Sequence, residues 1–371
     1  LIDVTGGVTW GFVAFSYALR KQGVPVRTRL ATTATAILTT TVLMMTAATS
    51  ASADDRSTPE GVADLVAEVA PDAGAVAEVA PSGSELVADV DGTSVAIPGT
   101  SRGSVTISSP GLTSAESSST AQLGLDSDSV EAPSYSLRLP AEIGSADANL
   151  TSDGDVVYQS DGGDTDVVVQ ALASGDFRVQ TVSNGPDAPT AYTYTVGDGV
   201  VPQLLEDGSV SLTVPTDNPS LTVEVGSIAA PWAYDATGAP VATYYEVAGA
   251  DVIQHVDHTA PGVSYPVVAD PTGSVGIGYY WHFNRAETKT FAGYGMSGIA
   301  GTTAACAALG GLGGGIGAVV IGAGCAVVAA KVIHSAGVAE NSSPKRCFYI
   351  RVVTPTVVGV TAGTYKDSRC K

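Results

Sequence analysis

Four cysteines are the residues best suited to do chemistry in this chain: Cys306, Cys325, Cys347 and Cys370. Cys306 and Cys325 flank a glycine-rich stretch running from Gly310 to Gly317. If the chain reverses over Gly313–Gly317, the two lie opposite each other on antiparallel helices. A disulfide then needs their Cα atoms within about 7 Å. Cys347 and Cys370 bracket two β-prone runs, Phe348–Val353 and Thr356–Thr361, with Pro355 at the bend. Four cysteines allow three connectivities. The spacing favours Cys306–Cys325 with Cys347–Cys370.

Other candidate chemistry is weaker. His255-Val256-Asp257-His258, with Asp251 nearby, suggests a metal. The two histidines meet on a helix but point to opposite faces of a strand, and the context is strand. The expectation is polar side chains on an exposed hairpin. Asp161, Asp164 and Asp166 could gather around Ca²⁺ but lack EF-hand spacing, so a solvated turn is expected. Gly311-Leu312-Gly313 would need a preceding strand to be a dinucleotide loop, and a helical run precedes it. No H-E-x-x-H or P-loop pattern occurs. No catalytic, cofactor-binding or metal-binding residue is assigned. Carboxylates are plentiful, which leaves a carboxylate-dependent hydrolase as a remote alternative to a non-enzyme.

The elements that must hold the cysteines differ in charge. The chain has 371 residues, 17 basic and 37 acidic, for a net charge of −20. Binding to nucleic acid through overall charge needs the opposite excess. Residues 54–133 carry 14 acidic and 2 basic groups, residues 134–280 carry 19 and 2, and residues 281–371 carry 3 and 9. An acidic body therefore precedes a cationic C-terminal part.

Residues 1–53 read as upstream sequence and a signal peptide. Arg20, Lys21, Arg27 and Arg29 precede an uncharged run from Leu30 to Ser50, and Ala51-Ser52-Ala53 matches a small-residue cleavage site. Ala51 and Ala53 are the recognition positions, and the mature chain would start at Asp54. Export would place the cysteines where disulfides form.

Residues 54–133 contain no aromatic residue and repeat Val-Ala-Glu-Val-Ala-Pro at positions 66 and 76. Small apolar residues among many acids offset little ordering entropy, so a largely disordered, low-complexity spacer is expected. Only a short helix at 60–70 and a strand at 104–108 are entertained within it. Residues 134–272 read as a β-sandwich-like body. Phe177, Val179 and Thr181 alternate with polar residues, as do Val210, Leu212 and Val214. Hairpins are expected to pair Val167–Leu172 with Phe177–Val182, and Val241–Val247 with Asp251–Val256.

Two segments carry a resemblance. Ile228-Ala229-Ala230-Pro231-Trp232-Ala233-Tyr234-Asp235 and Tyr265-Pro266-Val267-Val268-Ala269-Asp270-Pro271 resemble a β-rich module of uncharacterised secreted proteins from high-GC Gram-positive bacteria (actinobacteria). The stretch Tyr280–Lys289 and the later cysteines look like one of the C-terminal parts that follow it. The resemblance implies secretion and supplies no catalytic residue.

Residues 273–371 should then form a glycine-rich helical hairpin and a disulfide-stabilised β segment. Asn284 and Glu287 have capping-box spacing, so a helix should start at Arg285. Thr290–Ala330 carries no charge, and one straight helix of that length would reach roughly 60 Å. A hairpin fits better. It is either a packed soluble element or a membrane-inserting one, with Lys289, Lys331, Lys345 and Arg346 at the interfaces. The sequence thus leads to an exported binding or structural protein, with a protein, glycan or membrane partner. A bacteriocin-like, membrane-active effector is the alternative.

Overall fold

A computed structural model describes residues 57–110, 133–159, 163–197, 199–312, 324–353 and 359–371. Ala51 and Ala53 of the expected cleavage site, Asp161, and the expected turn at Gly313–Gly317 lie outside these. The fold is mainly β with a C-terminal helical layer, as the alternating runs imply.

Helix α1 (Pro59–Val69) starts at Thr58, whose hydroxyl accepts from the Gly61 N–H. A five-stranded antiparallel sheet follows in sequence order: β1 (Ala80–Ser82), β2 (Glu85–Val90), β3 (Thr93–Pro98), β4 (Ser104–Ser108) and β5 (Ser134–Arg138). Residues 57–110 are therefore not a spacer, which corrects the expectation from composition. The reason is register. Val95 and Ile97, Val105 and Ile107, and Tyr135 and Leu137 recur at period two and are all buried. Glu85 and Asp89 lie exposed on the other side of β2. Even the two copies of the repeat differ in fate. Val66 is buried in α1, whereas Val76 forms a bridge to Leu172.

The large sheet begins with a meander of β6 (Ala148–Leu150), β7 (Val156–Gln159), β8 (Thr165–Ala171) and β9 (Phe177–Ser183). Strand β10 (Ala191–Thr195) joins a separate three-stranded sheet. Strands β11 (Val201–Leu204), β12 (Val210–Pro215) and β13 (Leu221–Ile228) return to the large one. Strand β14 (Ala233–Asp235) precedes the hairpin β15 (Thr243–Ala248) and β16 (Asp251–Val256), which pairs with β10. Strand β17 (Val267–Ala269) lies between β14 and β9, and β18 (Thr272–His282) lies beside β13. Both expected hairpins form, as β8–β9 and β15–β16. Strand β18 runs from Thr272 across the 272/273 boundary and pairs with β13 and with the later strand Cys347–Val353.

The C-terminal part adds α2 (Arg285–Tyr294), α3 (Gly298–Gly310), α4 (Cys325–Asn341), β19 (Cys347–Val353) and β20 (Gly359–Tyr365). The capping box at Asn284 and Glu287 is formed on both sides. The helical run is broken at Gly295–Gly298, where Gly298 has φ 56°, so among the described residues the first arm of the expected hairpin is two helices, α2 and α3. The second strand of the β segment runs on past Thr361 to Tyr365, which pairs with Cys347, while positions 356–358 of the expected strand lie outside the described residues.

One core fills the space around the five-stranded sheet, β7–β9 and β15–β16. A second joins α2–α4 to β13, β18, β19 and β20. A third lies under α1, where Val62, Leu65 and Val66 meet Val157, Val168, Val182 and Val268. Gly226 and Gly273 let the first core close. A Cβ on Gly226 would sit 2.4 Å from the Tyr135 ring, and one on Gly273 would sit 2.5 Å from Phe177.

Candidate binding cleft

The C-terminal sheet has two unlike faces, set by alternation along its strands. Leu221 and Val223 of β13, Tyr279 of β18, and Phe348, Ile350 and Val352 of β19 lie under the helices. The residues between them, Thr222, Glu224, Tyr280, His282, Tyr349 and Arg351, make the opposite face polar and aromatic. Period two is what separates these sets.

Glu224 and Arg351 anchor that face. Arg351 Nε donates to Glu224 Oε2 at 2.9 Å and its Nη2 contacts Oε1, while Ser211 Oγ donates to Oε2 at 2.8 Å. The pair spans β18 at Gly278, where a Cβ would lie 3.2 Å from the Glu224 Cβ. Burial works against the Arg351 charge, and the Glu224 carboxylate more than offsets it, so the guanidinium is held above its ordinary value. The Arg351 guanidinium also lies 5.8 Å from the Tyr280 ring centroid.

His282 is buried beside this pair. Its ring is parallel to Tyr280 at 5.9 Å and meets the edge of Tyr365 at 5.0 Å. Its Nε2 is 3.2 Å from Thr222 Oγ1, and Nδ1 has no hydrogen-bond partner among the described residues. Burial, aided by Arg369, pushes its pKa down to about 3. The imidazole is therefore neutral at ordinary pH. Burial pushes the Tyr349 phenol up to about 12.

The sheet curls until its two edges meet. Thr364 of β20 donates to Glu206, just beyond β11, at 2.5 Å, and Arg346 Nη1 lies 3.6 Å from the same Glu206 oxygen. Between the edges is a cleft of about 530 Å³. Leu204, Glu206, Arg346, Lys366, Asp367 and Arg369 line it. Arg369 holds Asp367, with Nε donating to Oδ2 at 3.0 Å. Strand addition at the β11 edge is blunted. Leu205 N–H bonds Ser209 C=O, which puts Gln203 and Val201 in bonded pairs with β12 and leaves the backbone of Pro202 facing the open edge. Proline has no N–H to offer there. The cleft is thus built to take side groups rather than another strand.

Residues singled out by sequence fall as follows. Cys306 is joined to Cys325, with Cα atoms 5.7 Å apart, and Cys347 to Cys370 at 5.5 Å. The second bridge packs against Tyr280, Tyr349 and Tyr365. His255 and His258 do not converge. His255 Nε2 meets Glu246 at 3.1 Å and its ring stacks on Tyr244. His258 is fully buried, between Tyr265 OH and the Pro189 carbonyl, which corrects the expectation of an exposed residue. Asp251 accepts from Thr195 Oγ1, and Asp166 from Asn184. Among the described residues, no three His, Cys, Asp or Glu side chains are grouped to hold a metal ion. Lys345 contacts Glu340, which also binds Arg285, and Arg346 lines the cleft.

The two segments behind the family resemblance form a structural hub. Strands β14 and β17 pair, and Asp270 accepts from the Trp232 N–H at 2.9 Å. Asp235 accepts from the N–H groups of Thr237, Ala239 and Ser264, closing the turn between them. Arg178 covers the Trp232 ring at 5.4 Å and donates to the Pro71 carbonyl, which ties down the end of α1. Asp270 is fully buried, and burial pushes its pKa up to about 7 against the pull of the Trp232 N–H and Arg178.

Sequence reasoning missed Glu224, Arg351 and His282 as a group. The alternation Tyr280-Trp281-His282-Phe283 was the available signal. The Glu224–Arg351 pairing, 127 residues apart, had none. No family model, curated protein or solved structure matches the chain, so the resemblance to secreted actinobacterial proteins rests on the quoted residues alone.

Proposed function

We propose that the protein is exported and works by binding, as a non-enzymatic component of the cell envelope or the surrounding medium. The observation that carries this is the chemistry of the cleft beside the Cys347–Cys370 bridge. Both acids lining it, Glu206 and Asp367, contact an arginine. With Arg346 and Arg369 paired to those acids, Lys366 is the further cation in the lining, which suits a partner bearing a carboxylate or phosphate group. Two disulfides support an oxidising compartment and agree with the positive, apolar and A-x-A pattern of residues 20–53.

The test is expression of the full sequence in a high-GC Gram-positive host, followed by fractionation into medium, wall, membrane and cytoplasm. The expected product starts at Asp54, lies outside the cytoplasm and has no alkylatable thiol before reduction. Retention on isolated walls or membranes should fall when Lys366→Glu and Arg369→Ala are combined. A cytoplasmic chain with free thiols would overturn export. Retention unchanged by the cleft substitutions would overturn the cleft as the binding surface.

A further inference from the structure

We infer that the occupant of the cleft is a peptide chain end: a free C-terminal carboxylate carried on an aliphatic residue. This rests on the reading above and narrows it, by naming the acidic group and the body that bears it.

Charge balance selects the acidic group. Glu206 lies 3.6 Å from Arg346, and Asp367 accepts from Arg369 Nε at 3.0 Å, so these four lining charges cancel in pairs. Lys366 is exposed and has no ion-pair partner among the described residues. The lining is left with one uncompensated positive charge, on a chain whose net charge is −20. One such cation matches one monoanion. A phosphate monoester carries about −1.5 to −2 at pH 7 and leaves charge unmatched, whereas a carboxylate leaves none.

The β11 wall selects the body. Val201 is 50% and Leu204 44% exposed, and both line the same cleft as Lys366. An aliphatic side chain laid on them leaves water and takes part of their surface with it. Gln203 lies between them in sequence, and its amide oxygen is buried without a hydrogen-bond partner. That oxygen can only accept, and the terminal torsion that aims it is soft. A peptide end carries the three matching groups on neighbouring atoms: carboxylate, aliphatic side chain and N–H. A fatty acid or a phosphodiester has no N–H to give. The cleft holds about 530 Å³. That lies within the roughly 300–1,000 Å³ of small-ligand sites, which suits a chain end rather than a folded domain. Pro202 offers no N–H at the open edge, so the partner enters by its end and not as an added strand.

The experiment is isothermal titration of the purified, oxidised full chain. The probes are acetyl-Gly-Leu-Val with a free carboxylate, the same peptide amidated, dodecanoate and dimethyl phosphate. The free peptide should bind, and more weakly as salt is added. Amidation should lower its affinity at least about tenfold. Lys366→Gln should cost the free peptide a similar factor and leave the amide unchanged, which ties the carboxylate to that lysine. Leu204→Asp should weaken both peptides. Both side chains are exposed, so circular dichroism and the disulfides should not change in these variants. Absence of binding by the free peptide would overturn the assignment. So would equal binding of the amide, or tighter binding of dodecanoate or dimethyl phosphate. Retention on walls or membranes separates this from the broader reading. If retention still falls with Lys366→Glu and Arg369→Ala while the peptide does not bind, the peptide assignment alone is overturned. If retention is also indifferent to those substitutions, the cleft reading falls with it.

Discussion

At the scale of single residues, the buried acids carry the sharpest consequences. Asp270 has its pKa pushed up to about 7, against roughly 3.9 for an unfolded Asp. A raised acid binds its proton more tightly in the folded state. Its burial therefore costs nothing below about pH 4, and the penalty grows as pH rises to about 7. The full penalty is on the order of 4 kcal/mol. Asp270→Asn keeps an oxygen for the Trp232 N–H and removes the charge. The variant should match the parent near pH 4 and be more stable at pH 8, as read by urea midpoints at the two pH values. A variant less stable at pH 8 would mean that Arg178 compensates the carboxylate in full. The Glu224–Arg351 pair behaves differently, because its partners meet. Arg351→Met leaves Glu224 buried and unpaired and should cost about 3–5 kcal/mol. Adding Glu224→Gln should recover much of that loss. Equal stability of the single and double variants would show that the pair is not coupled.

At the scale of elements, legibility followed period and spacing. The hairpins β8–β9 and β15–β16 were readable because alternation and a Gly turn coincide in each. The start of α2 was readable because Asn284 and Glu287 form a local motif. The disulfide pairing was readable because Cys306 and Cys325 are nearly symmetric about the glycines. What sequence hid was the ordering of residues 57–110. Their strands offer aliphatic but no aromatic side chains, and these become a core only when Tyr135, Phe177 and the second sheet cover them. The cleft was hidden for a related reason: its walls, β11 and β20, are about 160 residues apart and meet through the curl of the sheet. The bridges are the element-scale test. Each closes a loop of similar length, with sequence separations of 19 and 23, so each should stabilise by about 3 kcal/mol through the unfolded chain. Their effects on function should differ. Cys347→Ser with Cys370→Ser should loosen the tail Lys366–Lys371 and impair the cleft. Cys306→Ser with Cys325→Ser should leave the cleft intact. Thermal melts together with wall or membrane retention would separate the two, and equal loss of retention in both would contradict this division.

At the scale of the whole molecule, the change of charge near residue 280 invites division into an acidic body and a cationic C-terminal domain. The sheet argues against independence. Strand β18 pairs with β13 through Leu221–Ile228 and with β19 through Tyr349–Val353, so the two parts share one hydrogen-bonded ladder. The face formed by Leu221, Val223 and Tyr279 is buried only because α2–α4 lie on it. Cutting before residue 273 would remove β18, leaving β13 with one unpaired edge and exposing Leu221 and Val223. Unpaired edges and open apolar faces favour association. Residues 54–272 expressed alone should therefore aggregate or lose near-ultraviolet circular dichroism, even though they contain most of the first core. Residues 273–371 alone should keep their disulfides yet lack the Glu224 partner of Arg351. Mixing the two fragments should restore the native spectrum if the shared ladder is the main link. Two separately folded, monomeric fragments would instead show that the charge boundary is a true domain boundary, with β18 belonging to the C-terminal side.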